Sequence, residues 1–242
     1  MFNQRIRRLL KGIVVPLYRV FRPVIRLLGL ETFFKNQYEL FYWRMRKRNE
    51  GTLNNQGYFT LFNTLMELEP EFYRDKKILD LGCGPRGSLE WADMAAERVG
   101  LDPLVDSYRA LGIDEHSMRY VNAPAEQIPY PDGYFDVVTS INSLDHVDDL
   151  DQTVSEIIRV TADGGHFLLA VEVNHEATIA EPHTLQWDIV DRFSPGMIVE
   201  YEKHYDQPPK TPGVGSALHG IPFDHSNPES RPGVLVARFR KD

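Results

Sequence analysis

Apolar residues along the chain form short β-rich runs that alternate with stretches of helical spacing. The runs at 77–81 and 135–140 are mostly apolar, which is typical of strands buried inside a sheet. From 149 to 160, apolar residues recur three or four positions apart and predict an amphipathic helix. This alternation predicts a doubly wound α/β fold.

The complete pattern predicts seven strands and five helices from residue 54 onward. The predicted strands cover 77–81, 99–102, 118–122, 135–140, 166–173, 197–204 and 234–240. The predicted helices cover 54–73, 88–96, 103–112, 149–160 and 182–193. We expect the last two strands to pair with each other across a long loop that is rich in Pro and Gly.

The N-terminal segment has a different, amphipathic pattern. Its apolar residues follow helical spacing at Leu17, Val20, Phe21, Val24 and Leu28, whereas arginines 19, 22 and 26 occupy another face. Because the arginines interrupt the apolar window and no small-residue cleavage site follows, we expect neither a membrane span nor a signal peptide here. Such a helix can lie on an anionic bilayer or pack on the acidic body of its own domain or a partner subunit.

Charge divides the chain in the same place. The 242 residues are 42% hydrophobic and 26% charged, as in ordinary globular proteins, and carry a net charge of −8. Residues 1–48 hold 12 Lys or Arg and two acids (+10), and the rest holds 15 basic and 33 acidic residues (−18). We therefore predict a basic amphipathic helical extension at 1–48 and a globular domain at 49–242. The acidic domain argues against nucleic acid as a partner.

Cys83 is the single cysteine, so an internal disulfide is excluded. We therefore expect a cytoplasmic location. If residues 1–30 bind lipid, the protein would be peripheral on the inner face of the membrane.

A glycine-rich turn follows the first predicted strand. It contains Gly82, Gly84 and Gly87, and Asp102 stands at the tip of the next strand. Glycines allow a ligand to approach the backbone closely, and a carboxylate at that tip can accept the hydroxyls of a ribose. Taken alone, this arrangement also fits the dinucleotide fingerprint of an NAD-dependent oxidoreductase.

Several motifs in order resemble the class I S-adenosylmethionine-dependent methyltransferases. The matching segments lie at 80–84, 100–103, 125–138, 140–147 and 159–165, and the resemblance covers about residues 76–173. It implies a Rossmann-like seven-stranded sheet with an antiparallel last strand, in a methyltransferase domain at 49–242. It also implies S-adenosyl-L-methionine as cofactor.

The resemblance assigns roles to eight residues near the cofactor. Asp80 would hold the methionine amino group, Asp102 the ribose, and Ala125 with Glu126 would border the adenine. The other implied contacts come from small residues of the loop and from the tip of the fourth strand: Gly82, Cys83, Gly84 and Asn142. Pro124 stands where many relatives have an acid, so an adenine contact from that acid is absent or replaced.

His146 is the candidate general base, because it follows the fourth strand where the acceptor would enter. The alternative is a histidine that starts a helix or packs under a lid. Glu181 and His183 after the fifth strand would need a third partner to hold a metal ion, so we predict no metal site.

The acceptor class is a small molecule, a glycan or a lipid-linked molecule, with a hydroxyl oxygen as the expected acceptor atom. The basic segment at 1–48 favours an acceptor near the membrane. A second hypothesis is a non-catalytic, methyltransferase-like binding protein that works through its basic arm.

Overall fold

The computed structural model describes residues 27–209, 213–227 and 231–242, together with Phe21, Val24 and Ile25. Most of the predicted amphipathic helix at 17–28 lies outside these residues. Within the described part of the chain, no helix is long and apolar enough to cross a bilayer.

Seven strands form one mixed sheet in the order β3-β2-β1-β4-β5-β7-β6. They are β1 (Lys77–Leu81), β2 (Glu97–Leu101), β3 (Arg119–Val121), β4 (Phe135–Ile141), β5 (Thr161–Val173), β6 (Met197–Asp206) and β7 (Gly233–Lys241). The first five strands pair in parallel, and β7 is antiparallel to both β5 and β6. The predicted doubly wound sheet with an antiparallel last strand is therefore confirmed.

Four α-helices and six 3-10 helices have bounds in the described part of the chain, and the first two α-helices precede β1. The α-helices are α1 (Glu31–Glu50), α2 (Tyr58–Phe62), α3 (Val105–Tyr108) and α4 (Leu150–Val160). The 3-10 helices are Pro70–Tyr73, Arg109–Leu111, Ile113–Glu115, Leu144–His146, Trp187–Phe193 and Val214–His219. Helix α4 agrees with the predicted helix at 149–160. It begins where expected because the Asp149 side chain accepts the Gln152 N–H and caps its first turn.

The core lies on both faces of the sheet. Neighbouring strand residues such as Ile78 and Leu79 are fully buried on opposite faces. One face packs against α4 through Ile157, and the other packs against the segment that carries Phe62. The order of the strands reverses between β1 and β4, and ligands of such sheets bind at this switch point, outside the carboxyl ends of the strands.

The chain between β1 and β2 forms turns, so the predicted helix at 88–96 is wrong. Ser88, at the start of this segment, donates its hydroxyl to Asp80. The Glu90 carboxylate accepts two backbone N–H groups that lead into β3, and the Arg98 guanidinium donates to two carbonyls of the turn. Arg98 thereby satisfies carbonyls that a helix would have paired internally, and Glu90 is held by the chain before β3.

Two other predicted helices are much shorter than expected. The segment 54–73 contains only α2 and one 3-10 turn, and Glu67 between them has a left-handed backbone with φ of 51°. In the segment 182–193, only Trp187–Phe193 is helical. The chain before it is extended because it is tied to the strand tips, where the Leu185 carbonyl accepts the Asn174 N–H.

Candidate active site

The loop after β1 brings backbone close to its neighbours at two glycines. Gly82 and Gly84 have φ of +66° and +57°, a conformation that disfavours other residues. A Cβ at Gly82 would lie 2.4 Å from the Ser143 Cβ, and a Cβ at Gly84 would lie 3.0 Å from the Trp43 ring. The loop therefore needs glycine for both its backbone shape and its packing.

Asp102 stands directly after β2 and faces this loop. Its carboxylate accepts the Gly84 N–H at 3.2 Å and the Leu104 N–H at 2.9 Å. Burial raises the pKa of Asp102 to about 6, although these two hydrogen bonds act in the opposite direction. A buried carboxylate at this strand end can accept hydroxyl groups of a ligand.

Asp80 lies behind the loop rather than on the cavity surface. Its carboxylate accepts the hydroxyls of Ser88 and Thr139. Burial raises the pKa of Asp80 to about 6, and the two hydroxyl contacts lower it by less. Asp80 thus connects the loop to β4, and its predicted contact with the methionine amino group stays a prediction.

A cavity of about 730 Å³ opens above the loop, within the usual size range of small-molecule sites. The other seven predicted cofactor residues and the predicted base all line it: Gly82, Cys83, Gly84, Asp102, Ala125, Glu126, Asn142 and His146. Glu172 and Glu181, which belong to β5 and the segment after it, line the far wall.

Asn142 offers the cavity an unsatisfied polar atom. It follows β4 with a left-handed backbone, φ of 59°. Its buried Oδ1 has no hydrogen-bond partner among the described residues. Because buried polar atoms are normally hydrogen-bonded, this oxygen is suited to contact a bound ligand.

Glu126 is held by backbone on the same side of the cavity. Its Oε1 accepts the N–H of Asp148 at 2.6 Å and of Asp149 at 3.0 Å. Glu126 therefore joins the loop after β3 to the start of α4. Its predicted position beside the adenine stays a prediction.

Helix α1 forms the roof of the cavity. Lys35 donates to the His146 carbonyl at 2.8 Å and pairs with Asp148, and Trp43 covers Gly84. Sequence analysis assigned none of these contacts. A signal was available, because cavity-lining residues recur three or four positions apart along this helix: Lys35, Glu39, Tyr42, Trp43 and Arg46.

His146 lies between the roof and the far wall. Its Nδ1 is 3.1 Å from Glu39 Oε1, and its Nε2 is 3.8 Å from Asp145 Oδ1 and 4.0 Å from Glu181 Oε1. Burial lowers the pKa of His146, but the hydrogen bond to Glu39 and the nearby carboxylates outweigh it and raise the pKa to about 9. The imidazole is thus stabilised in its protonated form at neutral pH.

Comparisons with known proteins agree with this fold. Residues 79–169 match the family described as "Methyltransferase domain". Tocopherol O-methyltransferase from Arabidopsis thaliana is 31% identical over 136 residues, which cover 52% of this chain and 39% of that protein. The ubiquinone/menaquinone biosynthesis C-methyltransferase UbiE from Stutzerimonas stutzeri is 38% identical over 88 residues, covering 36% and 32%. The chain thus spans less than half the length of these relatives.

Solved structures share the fold at low sequence identity. An S-adenosylmethionine-dependent methyltransferase from Mesorhizobium loti superposes with a TM-score of 0.52 at 19% identity, covering 74% of this chain and 96% of that one. The N-methyltransferase NodS from Bradyrhizobium japonicum, in complex with S-adenosyl-L-homocysteine, gives 0.52 at 14% identity, covering 74% and 84%.

The fold and the glycine loop at the switch point define the class I architecture. Residues 79–169 are a methyltransferase domain of the S-adenosylmethionine-dependent class, so the resemblance seen in the sequence motifs is confirmed. The cofactor of this class is S-adenosylmethionine. The residues present fit it, because Asn142 and the buried Asp102 line the cavity above the glycine loop and the Asn142 Oδ1 lacks a partner among the described residues.

Proposed function

We propose that this protein transfers the methyl group of S-adenosylmethionine to a hydroxyl oxygen of a small-molecule or lipid-linked acceptor, glycans included. The observation that carries this proposal is the cavity, which continues from the cofactor loop of a methyltransferase domain to a polar far wall. When bound, the cofactor supplies an electrophilic methyl group on sulfur.

The protein's own residues would act mainly by positioning. The glycine loop and Asp102 hold one side of the cavity, and Asn142 offers its free oxygen nearby. The roof helix α1 covers Gly84 of the loop through Trp43. Holding two reactants in line can supply much of the rate of a direct displacement.

His146 faces the acceptor side of the cavity in this proposal. Its Nε2 points toward Asp145 and Glu181, whose charges stabilise a proton there. Acting as a base would require that proton to leave first, so we propose that His146 borders the acceptor side of the cavity and assign it no proton transfer.

A lipid-linked acceptor is supported by the outer surface of the N-terminal region. Leu27 is 85% exposed and Phe33 is 56% exposed, and residues 1–48 carry a charge of +10. Exposed apolar side chains beside basic residues suit the surface of an anionic bilayer. The name of one relative also refers to tocopherol and that of the other to ubiquinone and menaquinone biosynthesis, and all three compounds are lipophilic. We accordingly propose a cytoplasmic protein that binds the membrane surface through residues 1–30.

Calorimetry with S-adenosylmethionine, S-adenosylhomocysteine and NAD tests the first part of this proposal. We expect both sulfur compounds to bind the full chain and NAD to give no heat. Binding of NAD in place of the sulfur compounds would contradict the proposal and favour the oxidoreductase alternative.

Turnover is tested by formation of S-adenosylhomocysteine with three acceptor pools: membrane lipids, soluble small molecules and glycans. We expect product only when the acceptor pool is present, and most with lipids. Cofactor binding without product in any pool would favour the non-catalytic binding protein. Co-sedimentation with anionic vesicles, compared with a chain that begins at Glu50, tests the membrane contact separately, and equal partitioning would contradict it.

A further inference from the structure

Three side chains beneath the roof helix share an unusual arrangement. Asp145 and His146 follow β4, and Glu181 lies in the segment after β5. In each of the three side chains, one polar atom contacts a neighbouring side chain. The contacts are Asp145 Oδ2 to His175 Nε2 at 3.1 Å, His146 Nδ1 to Glu39 Oε1 at 3.1 Å, and Glu181 Oε2 to Thr178 Oγ1 at 3.0 Å.

The second polar atom of each side chain points into a common space. The three side chains each offer one ligand atom, and these three atoms lie within 4.8 Å of one another. Among them, His146 Nε2 is 3.8 Å from Asp145 Oδ1 and 4.0 Å from Glu181 Oε1. The Asp145 side chain is only 2% exposed, and both its Oδ1 and the His146 Nε2 are buried without a hydrogen-bond partner among the described residues. Buried atoms of this kind are costly unless a ligand satisfies them.

A proton on His146 does not satisfy these atoms. Its Nε2 is 3.8 Å from Asp145 and 4.0 Å from Glu181, and both distances exceed the length of a hydrogen bond. Ligand atoms that surround a tetrahedral metal ion at 2.0–2.2 Å stand about 3.4 Å apart. Each carboxylate oxygen would therefore have to move about half an ångström closer to His146 Nε2, and the two carboxylate oxygens at most about 1.4 Å closer to each other, to reach coordinating distance.

We propose that Asp145, His146 and Glu181 bind a divalent transition-metal ion. One imidazole nitrogen and two carboxylate oxygens suit Mn²⁺ or Zn²⁺ better than an all-oxygen ion such as Mg²⁺. The neighbours support this assignment, because a histidine that binds metal almost always donates its other N–H to a carboxylate or a carbonyl. Glu39 occupies that position on His146, and His175 and Thr178 orient the two carboxylates.

The local sequence predicts no metal ligands. It brings Glu181 and His183 close together along the chain, but the structure directs His183 Nε2 to the Val147 carbonyl. Because His146 and Glu181 also line the cavity, a metal ion here would face the proposed acceptor. The metal site itself does not depend on the proposed methyl transfer.

Metal binding can be measured on the full chain after treatment with a chelator. We expect one equivalent of Mn²⁺ to bind, seen as loss of the free-ion signal in electron paramagnetic resonance, and Zn²⁺ to compete for the same site. Glu181→Gln keeps the size of the side chain and should weaken Mn²⁺ about 100-fold. Glu39→Gln, which removes only the orienting carboxylate, should weaken it about 10-fold.

Glu202→Gln is the matched control, because Glu202 pairs with His204 on the edge strand β6, outside the cavity. It should leave Mn²⁺ affinity unchanged, and circular dichroism should show that all variants fold. Absence of saturable binding in the natural chain, or equal affinity in Glu181→Gln and Glu202→Gln, would overturn the proposal.

Discussion

The floor and the roof of the cavity are built in different ways. The floor consists of strand ends and a loop in which backbone meets buried side chains, with Gly82 against Ser143 and Asp102 on the Gly84 N–H. The roof is helix α1, which reaches the floor through long side chains such as Lys35 and Trp43. Its outer face exposes large apolar residues, including Phe33 and Phe41.

This difference implies a division of roles between the floor and the roof. Backbone contacts and positive φ angles allow few alternatives, so the floor should be intolerant of change and should determine cofactor binding. Side-chain contacts of a partly exposed helix can break without disturbing the sheet, so the roof should control access. The following changes test that division.

Gly82→Ala should have the largest effect. The new Cβ would meet the Ser143 Cβ at 2.4 Å, and Ser143 cannot move easily because its hydroxyl donates to the Leu81 carbonyl at 2.6 Å and contacts Ser140. The positive φ adds strain of about 1–3 kcal/mol. We expect affinity for S-adenosylhomocysteine to fall at least about 100-fold in calorimetry.

The control for this change is Gly57→Ala, because nothing lies within 4 Å of a Cβ at Gly57 and its φ is −77°. It should bind the cofactor product normally. If Gly82→Ala also bound normally, the floor would be more adaptable than its packing indicates.

Asp102 gives the floor a pH dependence. Burial raises the folded-state pKa of Asp102 from 3.8 to about 6, because the folded protein favours the protonated carboxyl group. The contribution of this group to the free energy of unfolding is therefore complete below pH 3.8 and is lost as the pH rises through 6. The rise corresponds to about 3 kcal/mol, of which about 2 kcal/mol lies between pH 4.5 and 7.5. As the pH rises from 4.5 to 7.5, the natural chain without ligand should therefore lose about 2 kcal/mol of unfolding free energy relative to Asp102→Asn.

Urea unfolding of both proteins at several pH values measures this difference. Asp106→Asn, at an exposed carboxylate on α3, should show no such change relative to the natural chain. A difference between the natural chain and Asp102→Asn that is independent of pH would show that Asp102 is not buried as a charged group.

Trp43→Ala tests whether the roof acts on the cofactor loop. The Trp43 ring lies 3.0 Å from the Cβ position of Gly84 and beneath the Arg86 guanidinium. Removing it should weaken S-adenosylhomocysteine binding about 10-fold, or about 1.4 kcal/mol. Phe41→Ala, on the exposed face of the same helix, should leave affinity unchanged. Equal losses in both variants would mean that the whole helix is required rather than this contact.

Much of the floor could be predicted from the sequence, because its residues follow predicted strands directly. Gly82 comes after β1, Asp102 after β2 and Asn142 after β4, and parallel strands bring these ends to one edge. Local order along the chain is therefore sufficient to place them together.

The roof and the proposed metal ligands could not be placed in this way. Glu39 reaches His146 across more than 100 positions, and no local periodicity reports that contact. The wrongly predicted helix at 88–96 has a related cause. Its backbone groups are satisfied by Arg98, and its Glu90 side chain by N–H groups near β3, so tertiary hydrogen bonds override a helical pattern.

The smallest expected effect concerns the ion pair that closes the roof. Lys35 pairs with Asp148, and its ammonium is mostly buried whereas the carboxylate is about half exposed. In a double-mutant cycle of Lys35→Met and Asp148→Asn, we expect a coupling of about 0.5 kcal/mol on cofactor affinity at low salt. Lys35→Met alone should cost more than Asp148→Asn, because the lysine also donates to the His146 carbonyl.

High salt should reduce the coupling, since the carboxylate is accessible to screening ions. The same cycle with Arg109→Met and Asp114→Asn, an exposed pair away from the cavity, should give no coupling on cofactor affinity. A coupling above about 2 kcal/mol would erase the difference between floor and roof, because the roof would then be held as firmly as the backbone contacts below it. A coupling of zero would leave Trp43 as the main contact through which the roof affects cofactor affinity.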